Sequence, residues 1–169
     1  MTVSLNLLAL VSSVALAVTA CGGSSPSPST PTTPAQPAAD GVLVNVDDAG
    51  VALHGHDPVA YVVDSAVTPG SDAHASRHGG ATYWFSTAEH KATFDADPER
   101  FVPRFGGYCA YAVTQNRLSD VQPDQWKLQD GKLLLFTNAE LRERFDQDAA
   151  GNLALANRNW PALVARSTR

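Results

Sequence analysis

A proline-rich segment divides this chain into a part that can fold and a part that cannot. Residues 22–40 (GGSSPSPSTPTTPAQPAAD) have a proline at every second or third position from Pro26 to Pro37 and no large apolar side chain. Proline lacks the backbone N–H and restricts φ, so such a segment forms neither helix nor sheet. We expect a tether, partly flexible and partly extended, that confines the folded domain to residues 41–169.

The residues before the tether have the pattern of an export signal. Residues 3–20 are apolar and end in small side chains directly before Cys21, which is typical of a secretory signal. The ending Val18-Thr19-Ala20-Cys21 resembles the lipobox of bacterial lipoproteins. This resemblance implies a signal peptide over residues 1–20, cleavage before Cys21, and diacylation of the Cys21 thiol. An ordinary signal peptide or a short buried helix is the alternative.

The lipobox resemblance also carries an expectation about location and partners. A chain with a fatty acid such as palmitate on Cys21 is anchored to the extracytoplasmic face of a bacterial membrane, on the periplasmic side where there is one. The tether would then hold residues 41–169 away from the lipid surface. The membrane is the one partner that the sequence predicts, and no protein partner can be named from it.

Composition limits the remaining classes of function. The chain has 169 residues, of which 44% are hydrophobic and 17% are charged, so it can form a packed core. A net charge of -5 argues against a nucleic-acid binder. With Cys21 acylated, Cys109 is the only thiol, which excludes an internal disulfide. The sequence contains no Gly-rich phosphate loop, G-x-S-x-G, H-E-x-x-H or C-x-x-C motif, and we expect no enzyme.

Hydrophobic patterning predicts a small single α+β domain of short antiparallel strands or hairpins with several short helices. We predict strands over residues 42–46 paired with 51–53, 58–63, 81–85, 108–113 (strand or turn) and 132–136, and an irregular edge over 121–129. We predict helices over residues 87–96, from 98 onward, 139–148 and 151–160, the last stopped by Pro161, with Phe94 and Phe101 as core anchors. Gly79-Gly80 and Asp130-Gly131 predict turns, and the polar residues around His74 and His78 predict a loop. Ser86 and Thr137 are the predicted N-caps of capping boxes. No repeat of 20–50 residues is visible.

Several blocks of sequence together resemble the YHS domain family. The blocks are HGHDPVAY (54–61), ATYWFSTAEHKATFDADPERF (81–101), FGGYCAYAV (105–113) and NWP (159–161). They are most similar to the bacterial secreted and lipoprotein branch of that family. The resemblance implies a small α+β domain related to metal-binding modules of heavy-metal transporters and sensors. The thiolate positions of the metal-binding relatives fall on Ala60, Ser86 and His90, so the thiolate site is degenerate here.

Four residues remain as candidate metal ligands: Cys109, His90, His56 and His54. In an extended segment, His54 and His56 would lie on one face, at a spacing that suits one metal ion. Each residue also has an alternative role. His90 could pack beside Phe85, Cys109 could be a buried apolar side chain, and the two histidines could belong to a turn. In that turn, Asp57 could accept backbone N–H bonds or orient an imidazole.

Two functions from different classes follow. The first is a membrane-tethered, non-catalytic interaction or structural module that keeps the YHS scaffold without its metal site. The alternative is a heavy-metal binding or sensing module that uses Cys109 and histidines. For that alternative, the expected metals are copper or zinc, and Cu(I) suits a thiolate with imidazoles best.

Overall fold

The computed structural model describes residues 42–167, so the predicted signal peptide, Cys21 and the tether lie outside the described residues. The strands are β1 (Ser71–His78), β2 (Ala81–Phe85), β3 (Gln122–Gln129) and β4 (Lys132–Phe136). The helices are α1 (Pro58–Val63), α2 (Ala88–Ala96), α3 (Pro98–Phe101), α4 (Ala110–Thr114), α5 (Ala139–Asp146) and α6 (Ala149–Ser167). Short 3-10 turns at Leu53–Gly55 and Arg104–Gly107 precede α1 and α4. Within residues 42–167, no helix has both the length and the apolar character needed to cross a membrane.

The strands form two separate antiparallel hairpins, β1-β2 and β3-β4. Tight turns at Gly79-Gly80 and Asp130-Gly131 connect the strands, where the sequence predicted turns. Buried side chains alternate along β2 and occupy four of the five positions of β4, whereas the residues of β1 are exposed or half-buried. The predicted α+β class, with short hairpins and several short helices, is therefore confirmed.

The second half of the domain repeats the first. Ser71 pairs with Phe85 in one hairpin and Gln122 with Phe136 in the other, a shift of 51 residues for both partners. Each hairpin has the same register irregularity directly after that pair. Each half also has the same order of elements: a 3-10 turn, a short helix, a hairpin and a helix. This spacing lies just outside the 20–50 residues over which the sequence showed no repeat, and the tertiary structure reveals it.

Equivalent positions of the two halves make equivalent contacts. The Thr87 side chain caps α2 and the Asn138 side chain caps α5. The backbone N–H of Asp57 donates to the carbonyl of Thr68, just as that of Cys109 donates to the carbonyl of Ser119. Asp57 and Cys109 are thus counterparts, each at the N-cap of a short helix.

The core is built from aromatic side chains that both halves contribute. Phe94 of α2 contacts the rings of Tyr83, Phe85 and Phe101, with centroid separations of 5.0 to 6.4 Å. In the second half, Phe145 packs against Phe136. These rings are almost completely buried. Phe94 and Phe101 are the core anchors that the sequence predicted.

Two predicted strands are helices. Residues 58–63 (PVAYVV) form α1, because Asp57 caps the helix and Pro58 occupies the first helical position, where its missing N–H is harmless. In the range 108–113, the end of a 3-10 turn leads into α4. Most residues of both helices are buried, and an apolar run in a core does not distinguish helix from strand.

Two segments are more regular than their composition suggests. The polar segment around His74 and His78, expected as a loop, is strand β1, since the backbone ladder with β2 does not depend on side-chain type. Pro161 lies inside α6 rather than at its end. Proline removes one helical hydrogen bond there. Leu163, beyond Pro161, is buried, and this burial stabilises the continuation of the helix.

Candidate functional site

The most polar buried position of the domain is Asp57. Its side chain is completely buried, at the N-terminus of α1. Oδ1 accepts the backbone N–H groups of Val59 and Ala60, at 2.8 and 3.2 Å. Asp57 therefore does what the sequence suggested for it, since it caps α1 and, as described next, also orients an imidazole.

The second oxygen of Asp57 connects α1 to the β2–α2 corner. Oδ2 accepts the Ser86 N–H at 2.8 Å and the Ser86 hydroxyl at 2.7 Å. It also lies 2.7 Å from Nδ1 of His90. An ionised carboxylate can only accept hydrogen bonds, so Nδ1 carries the proton in this contact. We call Asp57, Ser86 and His90 the Asp57 cluster.

These hydrogen bonds determine the charge of the buried carboxyl group. Burial alone would raise the pKa of Asp57. The hydroxyl and backbone N–H of Ser86, the His90 ring and the Ala60 N–H outweigh burial and bring the pKa below its ordinary value. Asp57 is therefore ionised at neutral pH, and the hydrogen-bond donors around it stabilise its negative charge.

The Asp57 cluster has the residue types of a nucleophilic triad but not its geometry. In such a triad the imidazole lies between the hydroxyl and the carboxylate, with one ring nitrogen for each. Here the Ser86 hydroxyl donates directly to the carboxylate oxygen that His90 also contacts. The other ring nitrogen, Nε2, lies 3.4 Å from a carboxylate oxygen of Asp64. His90 Nδ1 also lies 3.4 Å from the Ser86 Oγ, but because this nitrogen carries the proton it cannot accept the hydroxyl proton, and the cluster joins three elements instead.

The two histidines before Asp57 do not lie on one face of an extended segment. His54 is in the 3-10 turn with a positive φ of 51°, and its Nε2 lies 2.9 Å from Asp120 Oδ1. His56 follows the turn, and its Nδ1 lies 3.1 Å from the carbonyl oxygen of Leu53. The expectation of a shared extended face is therefore wrong, because a turn separates the two rings.

Cys109 is completely buried, at the start of α4. It is the counterpart of Asp57 in the second half, where the positions of Ser86 and His90 are occupied by Thr137 and Leu141. The second half therefore has the same backbone arrangement as the Asp57 cluster, but it lacks the carboxylate and the imidazole. Of residues 42–167, no three or more His, Cys, Asp or Glu side chains are grouped so that they could hold a metal ion.

A cavity of about 410 Å³ lies beside the first hairpin, α3 and α6. Its lining includes Val44, Tyr83, Glu99, Val102, Phe105 and Trp160. Sequence reasoning missed this cavity, since its walls come from segments that are far apart in the chain. The NWP block pointed to one wall of the cavity, because its Trp160 lines the cavity and packs edge-on against Phe105.

Comparisons with known proteins add no relatives. No family model matches the chain, and no match was found among curated proteins or solved structures.

Proposed function

We propose that this protein is a membrane-tethered extracytoplasmic module of the YHS type that acts by interaction rather than by catalysis. In this proposal, Cys21 carries the lipid and residues 22–40 form the tether. Ser86 and His90, which stand where the metal-binding YHS domains have thiolates, would belong to a structural cluster instead of a metal site. The resemblance of the sequence blocks to YHS domains and of residues 18–21 to a lipobox motivates the proposal.

The observation that carries the proposal is the saturation of the Asp57 carboxylate. Five donors from three parts of the chain contact its two oxygens. A metal ion bound through the Ser86 hydroxyl and His90 Nδ1 would have to displace these two donors from the Asp57 carboxylate, and each hydrogen bond to a charged group contributes about 1.5–3 kcal/mol. The saturated carboxylate therefore favours a structural role for the β2–α2 corner, where metal-binding YHS domains hold their metal.

Metal titration of the full chain, read by native mass spectrometry, tests the proposal. We expect no retained Cu(I) or Zn(II) at micromolar free metal, and the same result for the His90→Gln variant. The half-buried His74 on β1, which belongs to none of the candidate sets, provides the control variant His74→Gln for loose binding by a histidine. Stoichiometric binding that is lost in Cys109→Ala and in His90→Gln but kept in His74→Gln would replace this proposal with the heavy-metal alternative.

A further inference from the structure

The cavity beside the first hairpin contains a polar group that the protein itself leaves without a partner. Tyr83 lines the cavity and is only 2% exposed. Its ring packs on Phe94, and its hydroxyl forms no hydrogen bond with another group in residues 42–167. The hydroxyl is not among the buried polar atoms that lack a partner, so it reaches the solvent in the cavity, where it is available to a ligand.

The second polar feature of the cavity is the Glu99 carboxylate. Its Oε1 lies 3.0 Å from Nε2 of His78, while Oε2 has no partner among the described residues. Lys132 donates to the backbone carbonyl of Glu99 and not to its carboxylate. No lysine or arginine is among the residues that line the cavity. The mouth therefore carries one carboxylate, which is paired with His78 through one oxygen and is 76% exposed to solvent.

Burial and the charge of Glu99 together raise the pKa of Tyr83. The hydroxyl therefore stays protonated at neutral pH and can either donate or accept one hydrogen bond. The remaining walls are apolar or aromatic, with Phe105 and Trp160 edge to face at 5.8 Å. Apolar walls with a few placed polar groups are the usual lining of a small-molecule site, and such sites occupy roughly 300–1,000 Å³.

We propose that this cavity binds a small amphipathic amine: an aromatic or branched apolar body with one protonated amino group. The apolar body would pack against Trp160, Phe105 and Val102. The ammonium group would face Oε2 of Glu99, and the hydroxyl of Tyr83 would accept from the same group or bond a neighbouring polar atom. This site is separate from the Asp57 cluster and does not depend on the function proposed for it.

A series of three probes with the same body and different charge tests the site. The probes are 2-phenylethylamine (cation), 2-phenylethanol (neutral) and 3-phenylpropionate (anion), each titrated into the full chain by isothermal titration calorimetry. We expect the amine to bind most tightly and the anion most weakly. Glu99→Gln should weaken the amine about two- to fivefold and remove its advantage over the alcohol. Glu140→Gln, at an exposed glutamate of α5, is the matched control and should leave the affinity of all three probes unchanged.

The two buried tyrosines provide the sharper control. Tyr83→Phe should weaken the amine about three- to tenfold without lowering the thermal stability, since the hydroxyl has no partner to lose. Tyr61→Phe removes a hydroxyl that donates to the carbonyl of Pro123, so it should lower the stability without changing probe affinity. A structural role for both hydroxyls would instead lower the stability of both variants and change binding in neither.

Four results would overturn the proposal. The first is no binding of the amine at millimolar concentration. The second is equal binding of the amine by the wild type and Tyr83→Phe. The third is tighter binding of 3-phenylpropionate than of the amine. The fourth is binding that occurs only after residues 23–40 are deleted, which would mean that the chain fills its own cavity.

Discussion

His90 Nδ1 lies 2.7 Å from Oδ2 of Asp57, although 33 residues separate the two in sequence. The contact joins the first turn of α2 to the start of α1, and the Ser86 N–H and hydroxyl complete it from the end of β2. A fully buried carboxylate is therefore held by donors from each of the elements it touches. This contact gives the domain a polar anchor within an otherwise apolar core.

Replacement of Asp57 should test that anchor directly. Asp57→Asn keeps Oδ1 for the Val59 and Ala60 N–H groups but places an amide donor against the donors of Ser86 and His90. We expect a loss of about 2–3 kcal/mol in the free energy of unfolding, measured by urea denaturation. Asp72→Asn, at an exposed carboxylate on β1, should change it by less than about 0.5 kcal/mol. Equal effects of the two substitutions would contradict the role given to Asp57.

The lowered pKa of Asp57 also predicts how stability depends on pH. An aspartate ordinarily titrates at 3.8, and Asp57 titrates below that value in the folded state. Its contribution is therefore complete above the ordinary pKa and is lost as the pH falls through the folded pKa. In Asp57→Asn, the stability should fall less steeply between about pH 5 and pH 2. The check is a set of urea transitions across that pH range, and curves of equal slope would count against the prediction.

Thr87 and Ser86 should separate a helix cap from a carboxylate donor. Thr87→Ala removes the side chain that accepts the His90 N–H, which should lower stability by about 1 kcal/mol at every pH. Ser86→Ala removes a hydroxyl that lowers the pKa of Asp57, so the pKa rises. The loss of stability relative to the wild type, measured by urea unfolding at several pH values, should therefore shrink as the pH falls below about 4 in Ser86→Ala but stay constant in Thr87→Ala. A loss that is constant with pH in both variants would show that Ser86 acts only as a cap.

Cys109 should behave as a buried thiol. Because the side chain is completely buried, alkylation in native buffer requires the domain to open. With Cys21→Ser as background, we expect slow labelling by iodoacetamide that is unchanged by Cu(I) or Zn(II) and becomes fast in urea. Rapid native labelling that either metal suppresses would support the heavy-metal alternative.

The proposed lipid anchor makes Cys21 a separate test. Labelled palmitate should enter the wild-type chain, and Cys21→Ala should abolish labelling and release the protein from the membrane fraction. Cys109→Ala is the matched control and should be labelled like the wild type. Acylation of the Cys21→Ala protein would exclude the lipobox interpretation.

Local signals were reliable where neighbouring residues decide the structure. The turns at Gly79-Gly80 and Asp130-Gly131, strand β2 and the core position of Phe94 were all predicted from sequence. Glycine pairs and Asp-Gly favour tight turns through their own backbone preferences. Alternating burial along β2 follows from the two-residue period of a strand.

The two capping boxes show where local reasoning ended. In Ser86-Thr87 and Thr137-Asn138, both residues of each pair can cap a helix, and the second residue does so in both cases. The first hydroxyl is used elsewhere, by the Asp57 carboxylate in one corner and by the carbonyl of Asp120 in the other. A partner that is distant in sequence decided each cap.

The sequence by itself determined the α+β class, the turns and the residue types available for chemistry. Only the tertiary structure decided that α1 and α4 are helices, that the two halves repeat, and that Asp57 lies with Ser86 and His90. It also decided that Tyr83 and Glu99 line one cavity. The physical reason is that backbone preferences and periodicity act over a few residues, whereas burial and hydrogen-bond partners are set by segments that meet only when the chain folds.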